Sequence, residues 1–195
     1  MVMKSVFQIW LVLLFVVAFV STGSAQVVVA QSKVSTILAD PILAGVETSI
    51  GVNRKLLVTV SWEGGNQITG ISYGSQSLTE AVTAGNGRNA SIWYLDAPQF
   101  GSHDVEVTFD VATEARIGAL SLQQAASGPL EQTASGASVL TGDLSSSANA
   151  LVLGVYTENG GGALSSNFAN TLYSGASGSC VSDAGYQVES VAGVK

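Results

Sequence analysis

The chain has 195 residues, 47% hydrophobic and only 11% charged, with fourteen acids against seven bases and a net charge of −7. A nucleic-acid partner needs a basic stripe to neutralise phosphates, and this acidic composition excludes one. Cys180 and His103 are the sole cysteine and histidine, which rules out an internal disulfide and a zinc cage of the usual ligand types.

The first predicted element is a secretory signal. Lys4 supplies a positive start, Val6 to Val20 is apolar apart from Gln8, and Ser21 to Ala25 offers small residues before an expected cut after Ala25. The apolar run is about 15 residues, short of the roughly 20 that a spanning helix needs, so cleavage is favoured over anchoring. No later run approaches spanning length, which leaves no transmembrane segment after cleavage and a product that is secreted or at the cell surface. Residues 26–44 form an extended leader in which Val27–Ala30 and Val34–Leu38 are short strand candidates, broken by Asp40-Pro41.

Residues 45–195 then read as one all-β domain. In Lys55–Trp62 the residues Leu56, Val58, Val60 and Trp62 share one face, with Leu57, Thr59 and Ser61 on the other, and this period of two predicts a half-buried strand. Glu63 to Asn66 turns the chain toward a strand over Ile68–Tyr73, and Gly74-Ser75 separates that strand from a short run ending at Leu78. After Gly85 to Gly87 comes Ser91–Leu95, where Trp93 and Tyr94 must point to opposite faces. One of the two is expected in the core, and the other exposed as a sugar platform or packed beneath a loop, of which packing is the commoner outcome. Pro98 to Ser102 leads into Asp104–Asp110, with Val105, Val107 and Phe109 inward and Asp104, Glu106 and Thr108 outward. Ile117–Leu122 and Ala150–Tyr156 are apolar on both faces and predict central strands, while Val139–Leu144 predicts another and Gly160 to Gly162 a flexible loop. Short strands with turn signals every 8–12 residues indicate a single antiparallel β-sandwich, jelly-roll or immunoglobulin-like, with Leu151 and Leu153 joining the inward residues above in its core.

Several of these pieces together resemble a known module. Asn53-Arg54, Leu56-Leu57-Val58, Val60-Ser61 and Glu63 are followed by Ile68, Ile71, Tyr73-Gly74 and Leu78-Thr79. Ile92-Trp93-Tyr94-Leu95, Pro98 and Gly101 come next, then Val105, Val107 and Phe109. This pattern resembles an uncharacterised β-sandwich module that recurs in secreted and cell-surface bacterial proteins, often beside adhesion-type or lectin-like domains. The resemblance covers about residues 45–195 and brings no catalytic residues with it. It implies a further closing strand, so the chain is expected to be truncated after Lys195, leaving an open edge suited to strand addition.

Candidate chemistry is sparse. Gly70-Ile71-Ser72-Tyr73-Gly74 matches the G-x-S-x-G nucleophile pattern, and Ser72, Asp96 and His103 mimic a hydrolase order, but Ser72 falls inside a strand with no helix after it. His103 beside Asp104 reads as a solvated turn histidine, because geometry and not adjacency makes a triad. Asp104 and Glu106 are spaced about 7 Å apart on one strand face, within the range a glycosidase uses, yet no aromatics accompany them. Together with Asp110 and Glu114 they offer hard oxygen ligands without a calcium-loop pattern, so metal binding is left open. Asn89-Ala90-Ser91 is a formal glycosylation sequon, and Cys180 is read as a small buried residue. The expected protein is non-enzymatic, takes no cofactor, and serves as an adhesive or structural interaction module for a glycan or another surface protein. A carbohydrate-binding module is the alternative, and a β-sandwich glycoside hydrolase the third reading.

Overall fold

The computed structural model describes residues 27–35, 41–85, 87–128, 145–146, 150–159, 168–177, 180–188 and 193–194. The signal segment, Val139–Leu144 and Gly160 to Gly162 lie outside the described residues. The strands are β1 (Val28–Val34), β2 (Ile42–Thr48), β3 (Lys55–Gly64), β4 (Ile68–Tyr73), β5 (Gln76–Ser77), β6 (Thr79–Gly85) and β7 (Gly87–Asp96), then β8 (Gly101–Phe109), β9 (Ala115–Gln123), β10 (Ser145–Ser146), β11 (Leu151–Asn159), β12 (Asn170–Ser177), β13 (Cys180–Val188) and β14 (Gly193–Val194). All pairings are antiparallel, so the described chain is all-β as its periodicity predicts. No helix among the described residues is long and apolar enough to cross a membrane.

Three larger sheets carry the fold. The first runs β1-β9-β3-β7-β6, the second β2-β8-β4-β5 and the third β11-β13-β12, while β10 and β14 form a short bridge. The alternating face of β3 builds the first core. Leu56, Val58, Val60 and Trp62 pack with Trp93, Ile117 and Ala119 of the same sheet against Val46, Ile71, Tyr73, Val105 and Val107 of the second. Each fully buried aliphatic side chain there contributes about 1.5–3 kcal/mol.

The other face of β3 is also covered. Leu57 joins Leu120 and Leu122 in a second core with Leu172, Tyr173 and Ala184 of the third sheet. The expectation of a half-buried β3 is therefore corrected: Leu57, Thr59 and Ser61 are all buried. The polar pair is tolerated because it is bonded, Thr59 Oγ1 donating to Gly118 O and Ser61 Oγ meeting the Tyr173 hydroxyl at 3.3 Å. The first sheet is thus the middle layer of three.

Other expectations resolve strand by strand. β9 is buried on both faces, as its apolar run predicts. Among the described residues β11 is instead an edge strand paired only with β13, and Leu151 and Leu153 are half-buried, because its apolar residues pack onto the second core from one side. Phe109 is likewise only partly buried, set edge-on to Trp62 with ring centroids 5.6 Å apart. Leader residues take part in the sheets, with β1 on β9 and β2 on β8, and β1 is one strand over Val28–Val34 with a register shift between Val29 and Gln31. The Gly74-Ser75 turn is a two-residue hairpin with Gly74 at φ 56°, a conformation that suits glycine first.

Candidate functional site

Where β1, β2 and the loop from β7 to β8 meet, the surface opens into a cleft of about 370 Å³. β1 contributes Ala30 and Gln31, β2 and its exit contribute Glu47, Thr48 and Ser49, the loop contributes Phe100, and the start of β8 contributes Gly101 and Ser102. Phe100 is 59% exposed although it is aromatic. Its position follows from the register, since Thr48 pairs with Gly101 and so brings the end of β2 alongside the loop.

The loop is clamped from beneath. Thr48 Oγ1 donates to Gln99 O at 2.6 Å, and the Tyr73 hydroxyl donates to Gly101 O at 2.8 Å. Tyr73 also reaches Val46 O at 3.0 Å, and His103 Nε2 lies 3.3 Å from Phe100 O. The Gln76 side-chain carbonyl takes the Gln99 N–H, and Pro98 beside it is buried. The Ala97 N–H donates to Arg54 O at 2.9 Å, holding the start of the loop with Ala97 at a left-handed φ of 49°. Burial pushes the Tyr73 phenol pKa above its ordinary 10.0, which extends the hydroxyl's role as a proton donor into the alkaline range. The carbonyls of Gln99, Phe100 and Gly101 are thus all engaged while the Phe100 ring stays in solvent.

The polar rim has a defined orientation. Gln31 Oε1 accepts the Glu47 N–H at 2.8 Å, which turns the Gln31 amide nitrogen away as a donor. Ser49 Oγ accepts from Gln123 Nε2. Glu47 is the single carboxylate in the cleft lining.

The residues singled out by motif do not converge. Ser72 lies on β4 opposite Glu106, with the buried Ile71 and Tyr73 on either side of it, so it faces away from the first core. His103 shares the inward parity of Val105 and packs edge-on against Tyr73 with centroids 5.2 Å apart. Ser72 and His103 therefore point to opposite faces of the second sheet. His103 is also within β8, a correction to the turn position expected for it; the strand begins at Gly101, two residues earlier. Asp96 lies on β7 in the other sheet, where Oδ1 is 3.0 Å from Lys55 Nζ and Oδ2 accepts the Gly128 N–H at 2.6 Å.

The acids are dispersed as well. Asp104 and Glu106 are exposed on β8, and Asp104 Oδ1 accepts the Gly45 N–H at 2.8 Å. Asp110 Oδ1 accepts from the N–H groups of Gln67 and Val111, both at 2.9 Å, which makes it a turn-closing residue. Glu114 is exposed, and among the described residues no three His, Cys, Asp or Glu side chains are placed to hold a metal ion. Asn89 of the sequon is buried with its amide donating to Gly64 O at 2.7 Å, so it is withdrawn from solvent. Cys180 opens β13, and its thiol is outside the described side chains.

Trp93 and Tyr94 point to opposite faces, as the strand period requires. Trp93 is in the first core and bonds Ser91 Oγ at 2.9 Å, while Tyr94 packs against the second core beneath Lys55 Nζ, 4.9 Å from its ring centroid. Neither forms an exposed platform. Among the described residues the exposed aromatics are Phe100 and, at the margin, Tyr156 on β11; Phe100 is the one at the cleft, and the sequence signals it only as an aromatic inside a Pro-to-Gly turn segment. No protein-family profile, curated protein or solved structure matches the chain.

Proposed function

We propose that the chain is an exported, non-catalytic interaction module, secreted or held at the cell surface. In this reading residues 1–25 are a cleaved signal, and the first two sheets form a jelly-roll or immunoglobulin-like β-sandwich. The observation that carries it is Phe100: an aromatic ring held out to solvent by a backbone clamped on both sides, at the mouth of an open cleft. Loops on a rigid scaffold are where binding residues concentrate, and a side chain fixed in advance loses little entropy on contact. A glycoside hydrolase fits poorly, since it needs two carboxylates facing across a cleft and Glu47 is alone in this lining. A carbohydrate-binding role is favoured as the specific form of interaction by the ring set beside amide and hydroxyl groups.

The test uses the full chain expressed in a bacterial host. The exported product should begin at Gln26, appear in the envelope fraction or the culture medium, and turn over neither chromogenic esters nor glycosides. Retention in the cytosol, or turnover of either substrate class, would overturn the proposal.

A further inference from the structure

We infer that the cleft between β1, β2 and the Phe100 loop is a subsite for a neutral polysaccharide, with Phe100 as the stacking face. This deepens the interaction-module reading and rests on it. Three observations support the choice of ligand. Phe100 offers one flat apolar face of the kind that covers the C–H side of a sugar ring, and its backbone is already immobilised. The same cleft is lined by Gln31, whose amide can donate, by Glu47, whose carboxylate can accept, and by Ser102 with its hydroxyl. The Gln31 carbonyl is taken by the Glu47 N–H, which directs the amide nitrogen elsewhere as a donor, and Glu47 and Ser102 are exposed, so all three side chains can be reached by a polyhydroxylated ligand. The cleft volume lies near the lower end of the roughly 300–1,000 Å³ usual for small-ligand sites, and its open form suits a chain lying across it.

Charge narrows the class further. Glu47 within the lining and a net charge of −7 over the chain disfavour acidic glycans. A quaternary ammonium ligand is the competing fit to an aromatic beside a carboxylate. Such cations are usually enclosed by several rings, whereas Phe100 is the sole aromatic in this lining.

Calorimetric titration of the exported full chain decides the matter, with cellohexaose, mannohexaose, xylohexaose and maltohexaose as neutral probes, oligogalacturonate as the acidic one and choline as the cation. At least one neutral probe should bind. Phe100→Ala and Gln31→Leu should each weaken it about tenfold or more, corresponding to roughly 1.4 kcal/mol of lost contact. Phe100→Tyr should retain binding, and Val111→Ala, at another exposed apolar residue, should leave it unchanged. Thermal melts coincident with wild type establish that each variant is folded, and Gln31→Leu serves if Phe100→Ala is not. The inference is overturned if no neutral probe binds at millimolar concentration, if the Phe100 and Gln31 variants bind like wild type, or if choline alone binds and Glu47→Gln abolishes it. Should sugar binding fail while the chain is still exported, the glycan subsite falls and the interaction module stands. If both fail, both fall.

Discussion

Val107 is 4% exposed on β8, opposite Ile71 and within the first core. A carboxylate there has no cation or hydrogen-bond donor to meet it, and burying an unpaired charge costs several kcal/mol in a protein interior. Val107→Asp should therefore abolish cooperative thermal unfolding, and a retained melt would contradict the inward assignment of β8. The charged residue Lys55 contrasts with such a substitution. It is buried, yet its ammonium is met by Asp96 Oδ1 at 3.0 Å, Gly128 O at 2.6 Å and the Tyr94 ring, so the cost of burial is offset locally. The alternation that places Val107 can be read without a structure. The pairing that rescues Lys55 cannot, because its partners are 39, 41 and 73 positions away.

At the scale of the element, β3 and β9 form the middle of the molecule, and glycine at position 118 sets how closely the third sheet approaches. A Cβ added at Gly118 would fall 2.6 Å from Leu172 Cδ2, 2.8 Å from Thr59 Oγ1 and 3.0 Å from Tyr173 Cε1. Gly118→Val should overpack the second core at a cost of about 1–3 kcal/mol. Hydrogen exchange should show the loss first in β12 and β13, with protection in β4 and β8 kept; equal loss everywhere would mean that the layers do not separate. The existence and spacing of β3, β4, β7, β8 and β9 are legible in the sequence, since period-two runs bounded by glycine have few other solutions. The burial of Thr59 and Ser61 is not, because polar residues at alternate positions look the same beneath solvent and beneath another sheet. β11 errs the other way: continuous apolar residues suggest a central strand, but an edge strand packed on one core accommodates them as well. The candidate cleft was equally hidden. Gln31, Glu47 and Phe100 belong to three separate segments, and only the register of β2 on β8 and of β1 on β9 brings them to one mouth.

Across the whole molecule, a buried tyrosine stands in each core. Burial is the largest cause raising the pKa of Tyr73 in the first core and Tyr173 in the second above the ordinary 10.0. A raised value in the folded state means that the unfolded chain releases its proton first as pH increases. Stability should be undiminished by these groups below about pH 10 and should fall as pH rises from there through the folded values. Tyr73→Phe and Tyr173→Phe should each lower stability at pH 8 by about 0.5–1.5 kcal/mol through lost hydrogen bonds, yet flatten the alkaline decline. Urea melts between about pH 8 and 11 would show it, and slopes parallel to wild type would remove the tyrosines from the linkage. What the sequence by itself determined is the all-β class and the inward residues of the first core, because side-chain alternation is a local property of an extended backbone. The tertiary structure alone decided that the first sheet is covered on both faces, that Ser72 and His103 face apart, and that Phe100 is held out beside Gln31 and Glu47. Those outcomes depend on which strands pair and in what register, and that is settled by packing between segments distant in the chain.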